Sequence, residues 1–355
     1  MHTASDQWIR LLSDKDITNA EISEQVKLPI WHGFDLTGLR KKLQATAKHP
    51  HLLQEWLYRP FDVRPLLFDT TCIKRPRGKI MGQLLKPNIA LITVRQLAVG
   101  GFRHVFATSW MGDGNTISLN TREYNYYFPL YIYPDIATAG LFNFVEPTNT
   151  PGGRHPNLSM TFITDISNKL NMQFTLDGKG DLVNSLGPED IFNYMYAVFH
   201  SPTYRTRYSE FLKMDFPRLP LTSNPDLFRE LCAIGNRLVE LHLMEQYGEH
   251  RSNYPEPGNN MVEKVEYTQP TDKPDQGCVW INKTQYFDGV PPDVWKFHVG
   301  GYQVCHKWLK DRKGRQLDMH DVVHYERIVG ALVETITLME QIDEAIVEHG
   351  GWPIE

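Results

Sequence analysis

The sequence has few cysteines and no long apolar run, and both absences restrict the class of protein. Its 355 residues include four cysteines that lie far apart and in no CxxC spacing, so neither a zinc ribbon nor a disulfide scaffold is expected. No stretch approaches the roughly 18 consecutive apolar residues of a membrane-spanning helix. The first ten residues, MHTASDQWIR, lack the layout of a signal peptide. We therefore expect a cytoplasmic protein with no membrane partner.

The common signatures of a catalytic centre are also missing. The sequence contains no GxxxxGK[ST] phosphate loop and no GxSxG nucleophile turn. An adenine methyltransferase needs a glycine-rich cofactor loop and an [N/D/S]PP[Y/F] motif, and the nearest strings, NPDL at 224–227 and VPPD at 290–293, do not fit. Asp135 and Asp293 lack the (D/E)xK partner of a metal-dependent nuclease. The sequence predicts no catalytic residues and no cofactor, and a nuclease or hydrolase site built from scattered residues stays an alternative.

A histidine pair near the C-terminus raises the question of a metal. His320 and His324 lie four residues apart in a predicted helix, with Glu326 close by, so their imidazoles share one face. Zinc takes such ligands. Two histidines without a convincing third ligand are more often surface or core-edge residues, and we predict no metal site.

Positive charge is scarce overall but concentrated in two stretches. The net charge is −5, yet residues 56–106 carry nine Lys or Arg against two acidic residues, and residues 296–315 carry six against one. The rest of the chain therefore has a net charge of −17. A phosphate backbone responds to the local field and not to the total charge, so the distribution favours nucleic-acid binding where the total does not.

The order of periodicities predicts an α+β fold. A helical N-terminal segment is expected over residues 1–57, and a β-rich recognition lobe over 58–134. A loop and helical lobe should follow over 135–250, then a connection with a strand and a basic helix over 251–315, and a long C-terminal helix over 316–355. The predicted strands are Leu66–Phe68, Ile89–Val94, His104–Ala107, Ile117–Leu119, Tyr126–Tyr133, Val262–Tyr267 and Cys278–Phe287. The predicted helices include Arg77–Leu85, one that begins at Gly187, Phe228–Tyr247, Tyr302–Lys313 and His320–Val347.

Several long motifs follow one another along most of the chain. They are EWLYRPFDVRPLLFD at 55–69, KRPRGKIMGQLL at 74–85, NIALITVRQ at 88–96, FPLYIYP at 128–134, GPEDIFNYMYAVFHSPTYRTRYSEFLKMDFPRLPL at 187–221, INKTQYFDGVPPDVWKFHVGGYQVCHKWLKDRKGR at 281–315 and HYERIVGALVETITLMEQIDEAI at 324–346. In their order and spacing, these motifs resemble the C-terminal specificity region of type ISP restriction-modification enzymes. The last two motifs are also similar to the equivalent region of fused type II restriction-methylation enzymes. The resemblance covers roughly residues 30 to 350.

The resemblance implies a domain that recognises a target sequence in double-stranded DNA. In the family, this domain follows an adenine methyltransferase and, in type ISP enzymes, a helicase and a nuclease, so those modules are the expected partners. Their motifs are missing here, which leaves a separate specificity subunit, a fragment or a remnant as interpretations. A stand-alone DNA-binding regulator is a further alternative. The resemblance does not transfer the target sequence.

The basic residues of both stretches are the candidate DNA contacts. A cluster at the start of a short helix, Lys74, Arg75, Arg77 and Lys79, repels itself unless an anion such as a phosphate is near, although a solvated helix start is the plain alternative. The other candidates in this stretch are Arg64 and Arg103. Arg95 and Gln96 follow an apolar strand and could pair with guanine and adenine. Equally, Arg95 could form an ion pair that holds the sheet to the helical half.

The second basic stretch predicts a phosphate-binding helix face. His306, Lys310 and Lys313 share one stripe, and the neighbouring cations are Lys307, Arg312 and Arg315. Base contacts are expected from less patterned loops, either Arg103–Thr116 or Asn120–Tyr127. The final helix is net acidic and should avoid DNA, so it either packs internally or braces a methyltransferase module.

Overall fold

The chain divides into two compact units in this computed structural model. One unit comprises Met1–Trp56 and Val63–Gly82, and the other comprises Leu57–Asp62 and Gln83–Glu355. The described residues are 11–26, 36–45, 53–67, 77–98, 100–118, 123–134, 150–250, 252–271 and 275–354. In these ranges, no helix is long and apolar enough to cross a membrane.

Buried Arg40 organises the first unit. This unit contains helices α1 (Asn19–Val26), α2 (Leu36–Ala45) and α3 (Gly78–Met81). From α2, the Arg40 guanidinium donates hydrogen bonds to the carbonyls of Leu12 at 3.2 Å and Ile17 at 2.6 Å. A guanidinium with several acceptors fixes the segment before α1, because each lost bond would leave a buried donor unpaired.

The prediction of a helical N-terminal segment over residues 1–57 is wrong at its C-terminal end. Residues Leu53–Arg59 form strand β1, and Asp62–Leu67 form β2. Within β1, Leu57 and Arg59 are buried while Trp56 and Tyr58 are half-buried, which is the alternation of a strand. The spacing of Leu53 and Trp56 satisfies the helical period as well, so apolar periodicity alone could not separate the two.

A buried three-stranded sheet forms the centre of the predicted β-rich region. Strand β3 (Ala90–Val94) lies between β4 (Val105–Thr108) and β6 (Asn125–Pro129), and both pairings are antiparallel. Every residue of β3 and β4 is buried, which explains their continuous apolar sequence. In β6, buried and exposed residues alternate, so one face of this strand contacts the core.

Two predictions for this region need correction. The predicted strand Tyr126–Tyr133 is interrupted at Leu130, after which β7 (Tyr131–Ile132) pairs with β8 (His155–Pro156). Ile117 and Ser118 do not form a strand, and Leu119 lies outside the described residues. The Ile117 amide donates to the Asn125 side chain at 2.8 Å, and this bond replaces strand pairing. A short strand, β5, lies at Met111–Gly112.

Closely packed helices form the core next to this sheet. Helices α5 (Pro188–His200) and α8 (Pro225–His242) approach so closely that a Cβ on Gly235 would lie 1.9 Å from the Asn193 carbonyl oxygen, so only glycine fits there. The predicted helical stretch also contains a short parallel pair, β9 (Gln173–Phe174) and β10 (Ser185–Leu186). The helices of this region are α4 (Met160–Leu170), α5 (Pro188–His200), α6 (Pro202–Arg207), α7 (Ser209–Met214) and α8 (Pro225–His242).

The single strand predicted over Cys278–Phe287 is a hairpin. The Asn282 side-chain oxygen accepts hydrogen bonds from the amides of Thr284 and Gln285, at 3.0 and 2.8 Å, and this turn reverses the chain. The result is an antiparallel sheet of β11 (Glu266–Thr268), β12 (Gly277–Trp280) and β13 (Tyr286–Val290).

The C-terminal segment ends in the long helix that the sequence predicts. Helix α11 (Met319–Glu348) confirms that prediction and, with the sheets, the α+β class. The basic helix is shorter than predicted, because α10 ends at Lys310 and Gly314 adopts a positive φ of 78°. The preceding elements are α9 (Pro292–Trp295), β14 (His298–Val299), β15 (Tyr302–Gln303) and α10 (Val304–Lys310).

Candidate nucleic-acid interface

The first basic cluster is only partly described. Lys74 and Arg75 lie outside the described residues. Arg77 and Lys79 are exposed at the start of α3, and Arg64 is half-buried in β2. These three cations belong to the first unit, and they remain candidates for phosphate contacts.

Arg95 and Gln96 connect the end of β3 to the last residue of α7 and to the residue that follows it. The Arg95 guanidinium donates to Asp215 at 3.0 Å, and the Gln96 side-chain amide donates to the Met214 carbonyl at 3.2 Å. The Arg95 and Asp215 side chains are 59% and 51% exposed, so the ion pair adds little stability. The structure therefore favours the structural interpretation of Arg95 over base contact.

Arg312 is buried, contrary to its prediction as a DNA contact. The residue is 7% exposed, and its two terminal nitrogens hydrogen-bond both carboxylate oxygens of Asp62, at 3.0 and 3.2 Å. Its guanidinium also lies 3.4 Å from the centre of the Trp308 ring, and Asp321 is 3.6 Å away. A phosphate cannot reach this group. Arg315 donates to Asp321 at 2.6 Å while its side chain stays 53% exposed.

Three lysines of the second basic stretch lie on α10 or just after it. Lys307 is half-buried, and Lys310 and Lys313 are exposed. None of their ammonium groups lies within 4.0 Å of a carboxylate of any described residue. Burial lowers the pKa of the adjacent His306, and the charges of Lys310 and Lys307 lower it further. This helix face therefore carries positive charge that the described part of the protein does not neutralise.

Arg103 and Lys296 extend this positive charge beyond α10. Lys296 directly follows α9, and the ring of Trp295 lies 5.6 Å from that of His306 on α10. The Arg103 carbonyl accepts a hydrogen bond from Gly300 at 2.7 Å, which joins the loop between β3 and β4 to the turn between β14 and β15. We call the set Arg103, Lys296, Lys307, Lys310 and Lys313 the basic surface.

One cation of this surface, Lys296, and a second cation beside it, Arg205, were not selected from the sequence. Lys296 was counted in the basic stretch but not selected, and Arg205 on α6 was not considered. Arg205 comes close to Arg103 only because α6 packs beside the loop after β3. No local sequence signal marks a contact between positions so far apart in the chain.

The two loops predicted to contact bases differ in exposure. In Arg103–Thr116, most residues are buried or half-buried, and only Arg103 and Asn115 are exposed. Asn120–Tyr127 is described from Glu123 onward, where Tyr124 and Tyr126 expose their rings. With Phe128 and Phe216, these rings form a chain of edge-to-face contacts with centroids 5.1 to 5.4 Å apart.

The groups that could support other chemistry have structural partners. His320 and His324 stack 6.2 Å apart, and the His324 Nε2 atom lies 2.7 Å from the Phe61 carbonyl oxygen. No group of three or more metal-ligating side chains occurs among the described residues. Burial raises the pKa of Cys232, and it raises that of Cys305 to about 12, which makes both thiols poor nucleophiles.

Three solved structures share this fold. The chain is similar to the ATP-dependent type ISP restriction-modification enzyme LlaBIII bound to DNA, with a TM-score of 0.61, 18% identity, and coverage of 100% of this chain and 22% of that one. It is similar to DrdV in a DrdV–DNA complex, with a TM-score of 0.65, 18% identity, and coverage of 96% and 33%. It is also similar to a nuclease-deletion mutant of the type ISP enzyme LlaGI in complex with a DNA substrate mimic, with a TM-score of 0.57, 16% identity, and coverage of 96% and 25%.

The chain thus spans between about a fifth and a third of the length of these three proteins. No curated protein matches it. The family model described as the type ISP C-terminal specificity domain matches residues 14–341. The chain therefore belongs to the family of type ISP C-terminal specificity domains.

Proposed function

We propose that this chain recognises a specific sequence in double-stranded DNA and directs methylation and cleavage that other modules carry out. Membership of a specificity-domain family is the observation that carries the proposal. The DNA complexes of LlaBIII and DrdV support it, as relatives in fold. An adenine methyltransferase and a helicase–nuclease are the proposed partner modules.

The basic surface is suited to contact the DNA backbone. Its lysines and Arg103 are unpaired within the described ranges, so a phosphate can take their charge without breaking an internal ion pair. Arg64, Lys74, Arg75, Arg77 and Lys79 are proposed as further phosphate contacts from the first unit. Phosphate contacts fix register and orientation but carry no sequence information.

Base contacts are better assigned to the Tyr124–Tyr126 region than to Arg103–Thr116. Direct readout needs side chains that project into a groove, and the Arg103–Thr116 loop is mostly internal. Tyr124 precedes β6 and Tyr126 lies on the exposed face of that strand, and both carry hydroxyl groups that can hydrogen-bond to bases. Arg95 and Gln96 are less suited, because their polar groups already bind Asp215 and Met214.

The purified chain is expected to show no methyl transfer of its own. Its sequence lacks the cofactor loop and the catalytic motif of an adenine methyltransferase. Incubation with radiolabelled S-adenosylmethionine and duplex DNA should leave the DNA unlabelled, and calorimetry should detect no cofactor binding. Incorporation above that of a heat-denatured sample would contradict the proposal and favour an active site built from scattered residues.

Replacing Lys310 and Lys313 with Ala is expected to weaken binding to all duplexes about equally. If the wild-type chain makes about six phosphate contacts, its log–log salt slope should be about −5, and the double variant should flatten it by roughly two units. The measurement is fluorescence anisotropy with a preferred and a scrambled duplex over a range of salt concentrations.

Lys283→Ala is the matched control for this test. Lys283 is an exposed lysine in the turn between β12 and β13, outside the basic surface, and its loss should leave the slope unchanged. If the double variant loses only the preferred duplex, these lysines contact bases. If neither duplex is affected, α10 presents an ordinary solvated face.

A further inference from the structure

A cavity of about 290 Å³ opens in the second unit where cationic side chains from separate segments meet. Arg103 comes from the loop between β3 and β4, Arg205 from α6, Lys296 from the turn after α9 and His298 from β14. The neighbouring wall is apolar, and Ile336 and Met339 of α11 contribute to it. An apolar wall strengthens the attraction of these cations for an anion, because it lowers the local dielectric constant.

The three permanent cations of this cavity have no carboxylate partner in the described part of the chain. Neither Arg103, Arg205 nor Lys296 lies within 4.0 Å of a carboxylate oxygen there. The Nε atom of Arg205 donates to the Phe199 carbonyl at 2.7 Å, and this bond fixes the orientation of the guanidinium. By contrast, the buried guanidinium of Arg312 binds two carboxylates, which is the usual arrangement for a buried cation.

Three carboxylates near the cavity offset part of its positive charge without forming an ion pair with its three cations. Asp293 and Glu340 are exposed on its wall. Asp343 of α11 is engaged at the start of α6, where its oxygens accept hydrogen bonds from the hydroxyl of Ser201 and from the amide and hydroxyl of Thr203. This carboxylate therefore orients α6, and with it Arg205, instead of pairing with the guanidinium.

The positive charge at the cavity contributes to the lowered pKa values of Arg205 and His298. Burial lowers the pKa of Arg205, and the charge of Arg103 acts in the same direction. His298 also has a lowered pKa, caused mainly by burial, and Arg103 again contributes. Two guanidinium groups close enough to repel each other cost free energy in the folded protein, and a bound anion would offset that cost.

We propose that this cavity binds a phosphate group, with the Arg205 guanidinium at its base and Arg103 and Lys296 at its rim. Guanidinium groups match phosphate oxygens with paired hydrogen bonds, and a lysine adds a mobile charge. The phosphate is a DNA backbone phosphodiester, since Arg103 and Lys296 belong to the basic surface and continue it beyond α10. In that form the inference rests on the proposed function.

The first experiment separates phosphate binding from DNA binding. The melting temperature of the whole chain is measured as inorganic phosphate replaces chloride at constant ionic strength. At about ten times the dissociation constant, phosphate should raise the wild-type melting temperature by about 2 °C. Arg103→Ala with Lys296→Ala should abolish that rise, and the control Lys283→Ala should keep it. Absence of a rise in the wild type would overturn the cavity as a phosphate site.

The second experiment identifies the source of the phosphate. The Arg103→Ala, Lys296→Ala variant should bind duplex DNA about tenfold more weakly per lost contact at about 0.1 M salt. If inorganic phosphate binds but duplex affinity is unchanged, the cavity is a phosphate site for a free phosphate group, and the DNA assignment is overturned. If the wild type binds no duplex at all, the proposed function is wrong. The melting-temperature experiment would still show whether the cavity binds phosphate.

Arg205 is tested by a conservative change. Arg205→Lys keeps the charge but loses the paired hydrogen bonds, so the melting temperature without phosphate should change little while the phosphate-induced rise shrinks. An unchanged phosphate response in a folded Arg205→Lys variant would remove Arg205 from the site. The exposed pair, Arg103 and Lys296, keeps the proposal testable even if Arg205 variants do not fold.

Discussion

Acidification from about pH 7 to about pH 5.5 is expected to lower the free energy of unfolding by about 4 kcal/mol. The cause is a set of three buried histidines, His104, His200 and His242, that must stay neutral in the folded protein. Burial is the main reason that the pKa of His104 is lowered to about 4 and that of His242 to about 3, and it lowers the pKa of His200 as well. The charge of Arg205 lowers all three pKa values further, while the Glu123 carboxylate opposes the shift at His104.

The hydrogen bonds of His242 explain why it cannot accept a second proton. The Tyr196 hydroxyl accepts from the Ala107 amide at 3.0 Å, so its own proton points to His242 Nδ1 at 2.5 Å. The other ring nitrogen, Nε2, lies 3.1 Å from the Thr335 hydroxyl, which itself donates to the Ala331 carbonyl. This chain of donors fixes the proton on Nε2 and leaves no acceptor for a proton on Nδ1.

The direction of the pH effect follows from the lowered pKa values. Above about pH 6.5, each histidine is neutral in both the folded and the unfolded chain, so stability does not depend on its protonation. Below that pH, the unfolded chain binds protons that the folded chain excludes. Stability therefore falls as the pH drops from about 6.5 towards the folded values, by up to about 1.4 kcal/mol per pH unit for each histidine.

Urea unfolding between about pH 7.5 and pH 5.5 checks this prediction. His104→Gln should remove about a third of the pH dependence in that range, whereas His155→Gln, which replaces an exposed imidazole, should leave it unchanged. A wild-type stability that stays flat across the range would show that the buried histidines become protonated without unfolding.

Local sequence patterns correctly predicted the helices and strands whose formation depends mainly on residues close together in the sequence. The apolar run at Ile89–Val94 indicated β3, and the Gly-Pro-Glu-Asp start at Gly187 indicated α5, because both signals are complete within a few residues. The 30-residue helix α11 was also predicted, since its apolar period persists along its length. Elements that depend on one side-chain bond, such as the Asn282 turn or the Asn125 contact with Ile117, were missed.

Counting charged residues along the sequence identified the exposed lysines of the candidate interface. The same count wrongly included an arginine that is buried in an ion pair. Lys310 and Lys313 stay exposed and unpaired within the described ranges, as their positions in a basic stretch indicated. Arg312 lies between them in sequence but binds Asp62, 250 residues away. The proximity of Arg205 to Arg103 likewise joins residues that are far apart in the sequence. Counting charged residues along the sequence cannot identify such partners, because the tertiary fold determines which charges are neutralised by an ion pair.

Arg312→Ala is expected to lower the free energy of unfolding by about 3–5 kcal/mol. The substitution leaves Asp62, whose side chain is almost fully buried, without the guanidinium that satisfies both of its oxygens. It also removes the packing of that guanidinium on Trp308. Urea unfolding measures the loss, and Arg315→Ala is the matched control, because that exposed arginine should contribute about 1 kcal/mol or less.

The same variant separates a structural arginine from a phosphate contact. At low temperature, where Arg312→Ala remains folded, its salt slope for duplex binding should equal that of the wild type, since the buried guanidinium meets no phosphate. Replacing Asp62 as well should recover part of the lost stability, because the buried carboxylate that has lost the Arg312 guanidinium is the main cost. A variant that keeps its stability but loses one unit of salt slope would instead assign Arg312 to the interface, with Asp62 as a partner that it exchanges for DNA.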